Sequence, residues 1–351
     1  MERMQPDGRV CEFSSGAKAV ILEPPPQGMQ LAHATDEELA RHGVPPRPNR
    51  ATAPGLHALW HRTFERPLRF VAPEFQESTE ELHSGRRPSI GTEGNSAYSG
   101  NWSGVVAGPL FGDPINRAVA ASWNVPNAVS VDAGDDRCAI WVGIDGYWYA
   151  DARGNYFLPG QGFAPGQTDD TWPFPPAGEP SPLLQAGITC LGGGAAFAWW
   201  EWIPPGGVNP PVIISSVIPY ADQYFETQIW VLSETTANLF MLAGDPYTDA
   251  GSVAVLIPIW APLLTEVWGS SAEWIVERPT KPDGSYYTLP DYGTVEFDAA
   301  MAWTKSGSTL FSGQGTTLTI QGANGENLSE AQTVPPGRAT STVVQCTYGN
   351  G

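Results

Sequence analysis

Carboxylates stand on apolar, strand-like runs at three places in this chain. In Arg137–Asp145, alternation puts Trp141, Gly143 and Asp145 on one face. In Ala196–Ile203 it groups Glu201 with Phe197, Trp199 and Ile203, and in Ala272–Glu277 the acids Glu273 and Glu277 flank Ile275. Side chains two apart on a strand point the same way, about 6.6 Å apart. An unpaired charge on an apolar face is costly, so such a carboxyl tends to hold its proton more tightly, as a catalytic acid or base requires. The plainer alternative is an outer polar face with tryptophans scattered across it.

The chemistry that is missing narrows the choice. All five histidines (His33, His42, His57, His61, His83) precede Tyr98. Nothing after it can supply the imidazole of a Ser-His-Asp or Cys-His machine, or of a typical zinc site. What remains is carboxylate, carboxamide and indole, which suits proton transfer in acid. The four cysteines (Cys11, Cys138, Cys190, Cys346) have no CxxC spacing. One disulfide, for instance Cys138 with Cys190, and buried free thiols are both open readings. No metal and no cofactor are expected.

Charge points the same way. Residues 97–351 carry seven Lys or Arg against 24 Asp or Glu, and residues 1–96 carry 11 against 13. Once its carboxylates protonate, the larger part can reach a positive charge of only about seven, so acid builds little self-repulsion. It also has few native ion pairs to lose. Such a surface argues against nucleic acid and anionic membranes as partners. No run reaches the ~18 apolar residues of a membrane span, and the polar, acidic first residues show no export signal.

The elements that must position these groups divide the chain in two. Residues 1–96 read as an N-terminal, pro-segment-like region and tether. Thr35 and Glu38 at capping-box spacing open a short helix that Gly43 stops, and a second helix spans Pro54 to Phe64. The stretch from Glu77 to Tyr98 is polar, and cleavage is expected in its part from Ser84-Gly-Arg-Arg-Pro-Ser to Tyr98. Opposite charges are expected to hold the segment against the acidic cleft at neutral pH and to release it in acid. Residues 97–351 read as short strands punctuated by Gly and Pro, with a Gly-, Pro- and aromatic-rich insertion at 147–182. The expected fold is all-β, a two-sheet antiparallel sandwich of the concanavalin-like or jelly-roll type, and a monomer is expected.

Seven motifs in order carry a resemblance. They are Ser99-Gly-Asn-Trp-Ser-Gly-Val-Val106, Trp123-Asn-Val-Pro126, Trp141-Val-Gly-Ile-Asp-Gly146, Leu184-Gln-Ala-Gly187, Trp200-Glu-Trp-Ile-Pro204, Ala272-Glu-Trp-Ile-Val-Glu277 and Tyr292-Gly-Thr-Val-Glu-Phe297. Together they resemble the glutamic peptidases, the eqolisins of family G1. The resemblance implies a β-sandwich, a catalytic Gln/Glu dyad, acid-active endopeptidase chemistry on protein or peptide substrates, no metal, an N-terminal propeptide and secretion. It places the dyad on Gln185 and Glu273, with Trp141, Asp145 and Glu201 as supporting, substrate-binding residues. The segment between Asp145 and Gln185 is longer than the family's turn, which leaves Gln161 and Gln167 as rival positions. Two other functions stay open: a catalytically silent homologue, and a carbohydrate-binding or carbohydrate-active sandwich that uses aromatics for stacking and paired carboxylates for glycoside chemistry.

Overall fold

The computed structural model describes residues 8–78, 91–93, 96–108, 113–115, 117–132, 135–147, 149–150, 156–157, 182–205, 209–245, 247 and 251–349. Gln161, Gln167, the Ser84–Arg87 cleavage stretch and most of the 147–182 insertion lie outside these.

Alternating sequence becomes two packed sheets. In the first, the strands run in the order Phe75–Glu77, Val212–Ile214, Ala196–Ile203, Leu183–Leu191, Arg137–Asp145, Ala272–Glu277, Trp102–Ala107 and Thr316–Gln321. In the second, Lys18–Ile21, Val253–Trp260, Thr236–Ala243, Tyr224–Ser233, Ala118–Asn124 and Thr294–Trp303 lie side by side. Every one of these pairings is antiparallel. The strand Thr294–Trp303 joins the layers. Its first half pairs with Val344–Thr347 in the first sheet and its second half with Ala118–Ser122 in the second. Ala299, with φ of 51°, sits in the register break between the two halves. The all-β sandwich is therefore the observed architecture.

The core between the sheets takes one parity of each strand: Ile140, Val142 and Ile144; Leu184, Ala186 and Ile188; Trp200 and Trp202; Trp274 and Val276. The other parity of the first sheet forms a separate cluster on its outer face, with Trp102, Val106, Trp141, Leu183, Trp199 and Ile275. The grouping of Trp199 with Glu201, opposite Trp200 and Trp202, follows from that alternation.

The N-terminal region lies elsewhere. Its helices, Asp36–Arg41 and Pro54–Phe64, pack on the outer face of the second sheet. Leu39, Leu56, Leu59, Trp60 and Phe64 meet Trp230, Phe240, Leu242, Leu256 and Trp303 there. Thr35 makes the full capping box with Glu38. Lys18–Ile21 and Phe75–Glu77 extend the two sheets as strands, and Phe13 enters the central core. The described contacts thus hold residues 8–78 by apolar packing of the helices on the second sheet, by strand pairing at an edge of each sheet and by Phe13 in the core. Among the described residues the helices' apolar faces meet the second sheet, whereas the charge pattern leads to the expectation of the acidic face.

Candidate active site

The register of five strands lines up one row across the outer face of the first sheet. Glu201 is opposite Gln185, Gln185 opposite Gly143, Gly143 opposite Glu273, and Glu273 opposite Val106. Neighbouring strands are about 4.8 Å apart, so the backbones of Gln185 and Glu273 stand about 10 Å apart with one glycine between them. That glycine matters sterically. A Cβ on Gly143 would come within 3.1 Å of Glu273 Oε2, 2.8 Å of the Trp141 ring and 3.2 Å of Leu183 Cδ1. The Glu273 carboxyl therefore leans over Gly143, into a space that any other residue would fill.

Each member of the row is set by its surroundings. Glu273 is fully buried, and neither of its oxygens has a hydrogen-bond partner. Burial pushes its carboxyl well above the ordinary carboxylate range; the Ser271 hydroxyl beside it works the other way, and Asp145 adds to the rise. Gln185 donates from Nε2 to Glu201 Oε2 at 2.8 Å, while its Oε1 is buried and unpartnered. Burial likewise raises Glu201 well above its ordinary value, opposed by the Gln185 bond and assisted by Glu277. A carboxyl this dry is neutral unless something charged or wet meets it.

Asp145 closes its strand in the left-handed region, with φ of 70°, and this turns its side chain toward the loop before Glu273. Oδ2 accepts from the Trp268 amide at 2.8 Å, and Oδ1 accepts from the Ser270 amide and hydroxyl at 2.7 Å each. Burial raises it to about 6, against the pull of these donors. Asp145 thereby ties the end of its own strand to the segment that delivers Glu273. Trp141 is held by its indole, which donates to Glu277 Oε2 at 2.9 Å, and its ring meets Trp102 edge to face at 5.1 Å. Asn101 Nδ2 also reaches Glu277, at 3.3 Å.

All five residues singled out in the sequence, Gln185, Glu273, Trp141, Asp145 and Glu201, are thus brought to one face or its immediate edge. Sequence reading gave no part to Gly143, to the Asn101–Glu277 support of Trp141 or to the Trp268–Ser270 cradle of Asp145. Strand parity carries the signal for Glu277 and Gly143. The cradle has no such signal, because it depends on a loop.

This fold places a carboxyl and a carboxamide on the outer face of one sheet of a β-sandwich, facing each other across a glycine. Residues 255–348, which include Glu273, match the model of the Peptidase A4 family, the glutamic peptidases that the seven motifs resemble. Among solved structures, scytalido-glutamic peptidase with a peptide-based transition-state analogue is similar at 18% identity and a TM-score of 0.49. The alignment covers 71% of this chain and 98% of that one. SCP-B, an eqolisin in complex with the tripeptide Ala-Ile-His, is similar at 17% identity and 0.48, with the same coverage. No curated protein matches the chain.

Proposed function

We propose that the chain is an acid endopeptidase in which Glu273 and Gln185 act together on a water and a peptide carbonyl in the space above Gly143. The observation that supports this is the register Gln185–Gly143–Glu273, with a side chain missing only at its centre. Glu273 takes a proton from water as the water oxygen bonds to the carbonyl carbon. A Gln185 N–H stabilises the oxyanion that forms, and a carboxamide keeps that capacity at any acid pH. Glu273 then gives its proton to the leaving nitrogen as the C–N bond breaks. Trp141 and Trp199 wall the face where substrate side chains lie.

Burial adds a requirement that sequence reading did not contain. An ordinary glutamate is partly ionised near pH 4.3. Glu273, held well above that range, is neutral in the dry site, so entry of water and substrate must precede its service as a base. Trp141, Asp145 and Glu201 support the dyad in this reading. Unfolded protein is the substrate, the working form is a monomer and the setting is an acidic medium outside the cell.

Digestion of denatured casein at pH 3–4 by the wild type, Gln185→Ala and Glu273→Ala tests this. Turnover should rise as pH falls from 7 to about 4, resist EDTA and vanish in both variants. A neutral optimum or loss on chelation refutes it. An active Gln185→Ala with a dead Gln161→Ala or Gln167→Ala moves the dyad glutamine into the insertion.

A further inference from the structure

We propose that Glu201 is a positioning residue that sets which end of the Gln185 amide faces the reaction space, and that it does so through its own proton. The inference rests on the dyad reading above. Gln185 Nε2 lies 2.8 Å from Glu201 Oε2, and two oxygens nearby, Gln185 Oε1 and Glu201 Oε1, are buried without partners. An ionised Glu201 can only accept, and so holds the amide in this sense alone. It draws the NH2 end of the amide toward Glu201 and leaves the carbonyl end turned away. In the register, the neighbour on that other side is Gly143, and beyond it Glu273.

A carbonyl in that position repels a developing oxyanion, whereas an NH2 stabilises it. Protonation of Glu201 reverses the arrangement. Its O–H then donates to Gln185 Oε1, a half-turn of the amide satisfies that orphaned oxygen, and both N–H groups become free to face the gap. The two states exchange one hydrogen bond for another, so the half-turn costs little in stability and alters catalysis strongly. Apart from the Gln185 N–H, which favours the carboxylate, the groups facing Glu201 favour the protonated state. Glu277 on the Ala272–Glu277 strand opposes its charge, Glu273 and Asp145 lie on the same face, and Trp199 and Ile203 flank it on its own strand. Burial works in the same direction. Acid activity then has two sources: the site favours a protonated Glu201, and only that state aims Gln185.

The test is a pH profile of casein cleavage with the wild type and Glu201→Gln. The variant amide cannot ionise, and its N–H can donate to Gln185 Oε1 at every pH. Its alkaline limb should move up by one pH unit or more, with the rate at the optimum kept within about tenfold. An unshifted limb overturns the proposal. Side-chain NMR of the glutamine-labelled wild-type protein supplies a readout independent of turnover, with the Gln185 NH2 signal identified by its absence in Gln185→Asn. That signal should titrate on the alkaline limb and stop titrating in Glu201→Gln. A Gln185 signal that ignores pH refutes the coupling. A signal that titrates in a protein with no peptidase activity leaves the coupling standing and overturns the dyad reading instead.

Discussion

Gly143→Ala adds one methyl at the point where the dyad reading requires empty space. The strand backbone there can accept alanine, since the residue does not use a left-handed conformation. The obstacle is lateral. The new Cβ would stand 2.8 Å from Cζ3 of Trp141, a distance real Cβ atoms do not keep, and 3.1 Å from Glu273 Oε2. Trp141 cannot swing away cheaply, because its indole is bonded to Glu277 and packed edge-on against Trp102. Relief must come from small shifts of the ring, of Leu183 and of the Glu273 carboxyl, at the usual overpacking cost of about 1–3 kcal/mol. Catalysis should suffer far more, for the methyl both moves Glu273 and occupies the place of the attacking water. Misplacement of reacting groups on the 1 Å scale costs about 100-fold, so kcat should fall by at least that factor. Ile188→Val, on the opposite parity of the Gln185 strand, is the control. It costs about 0.5–1.5 kcal/mol from the core and should leave turnover nearly unchanged. Urea unfolding and casein cleavage at pH 4 measure both effects. A folded Gly143→Ala enzyme with wild-type turnover refutes the assignment of chemistry to this gap.

Asp145 makes the fold more stable in acid. Its folded value of about 6 exceeds its ordinary 3.8, so the native state holds the proton more tightly than the unfolded chain. That stability is fully present below about pH 4, is lost as pH rises through 6 and amounts to about 3 kcal/mol. Urea midpoints measured from pH 4 to 7 should therefore decline, and Asp145→Asn should remove this part of the slope; an equal slope in the variant counts against the assignment. Trp60→Ala should cost about 3–5 kcal/mol, because the indole is fully buried, bonds to the Pro45 carbonyl at 2.8 Å and lies under Arg47. Denaturant unfolding checks this, and a change below 1 kcal/mol would mean that the N-terminal region is not part of the cooperative fold. Cutting between residues 79 and 90 should leave residues 8–78 bound through gel filtration at both pH 4 and pH 7; dissociation at pH 4 would restore a charge-held segment.

Strand parity made much of this site legible, because period-two alternation forces Glu201 away from Trp200 and Glu273 away from Trp274 whatever the final topology. The order of strands was not readable that way. Nothing in the local pattern says that Gly143 separates Gln185 from Glu273, since that depends on pairings between residues over 40 and over 120 positions apart. The resting protonation of Glu273 was hidden for a related reason. It follows from how completely the face is covered, which no single strand determines. The amphipathic helix Pro54–Phe64 and the capping box at Thr35 were visible, but an apolar stripe does not name its partner. Charge suggested the acidic face, whereas the complementary surface of Trp230, Phe240 and Leu256 is on the other sheet. Attraction between weakly charged, solvated surfaces is screened within about 10 Å, and burial of large side chains outweighs it.

The same comparison explains how a chain so rich in carboxylates can hold together where it is proposed to work. Among the described ion pairs, Lys18–Glu12, Arg41–Glu37, His61–Glu65, Arg137–Asp135 and Lys281–Asp135 each have at least one partner well exposed to solvent. Such pairs contribute little at any pH. Arg66–Glu226 differs: its atoms meet at 2.7 Å with both side chains nearly buried, and Tyr224 and Gln228 also bond the same carboxylate. Among the described ion pairs it is the substantial one, and it lies at the seam between the N-terminal region and the second sheet. Around that pair lie Phe64, Trp230 and Phe240, whose burial does not titrate. Meanwhile the buried acids of the active face, Asp145, Glu201 and Glu273, gain from protonation, because their burial penalises only the charged form. The balance of these titrating terms thus runs toward stability as pH falls, and the apolar packing at the seam does not change with pH.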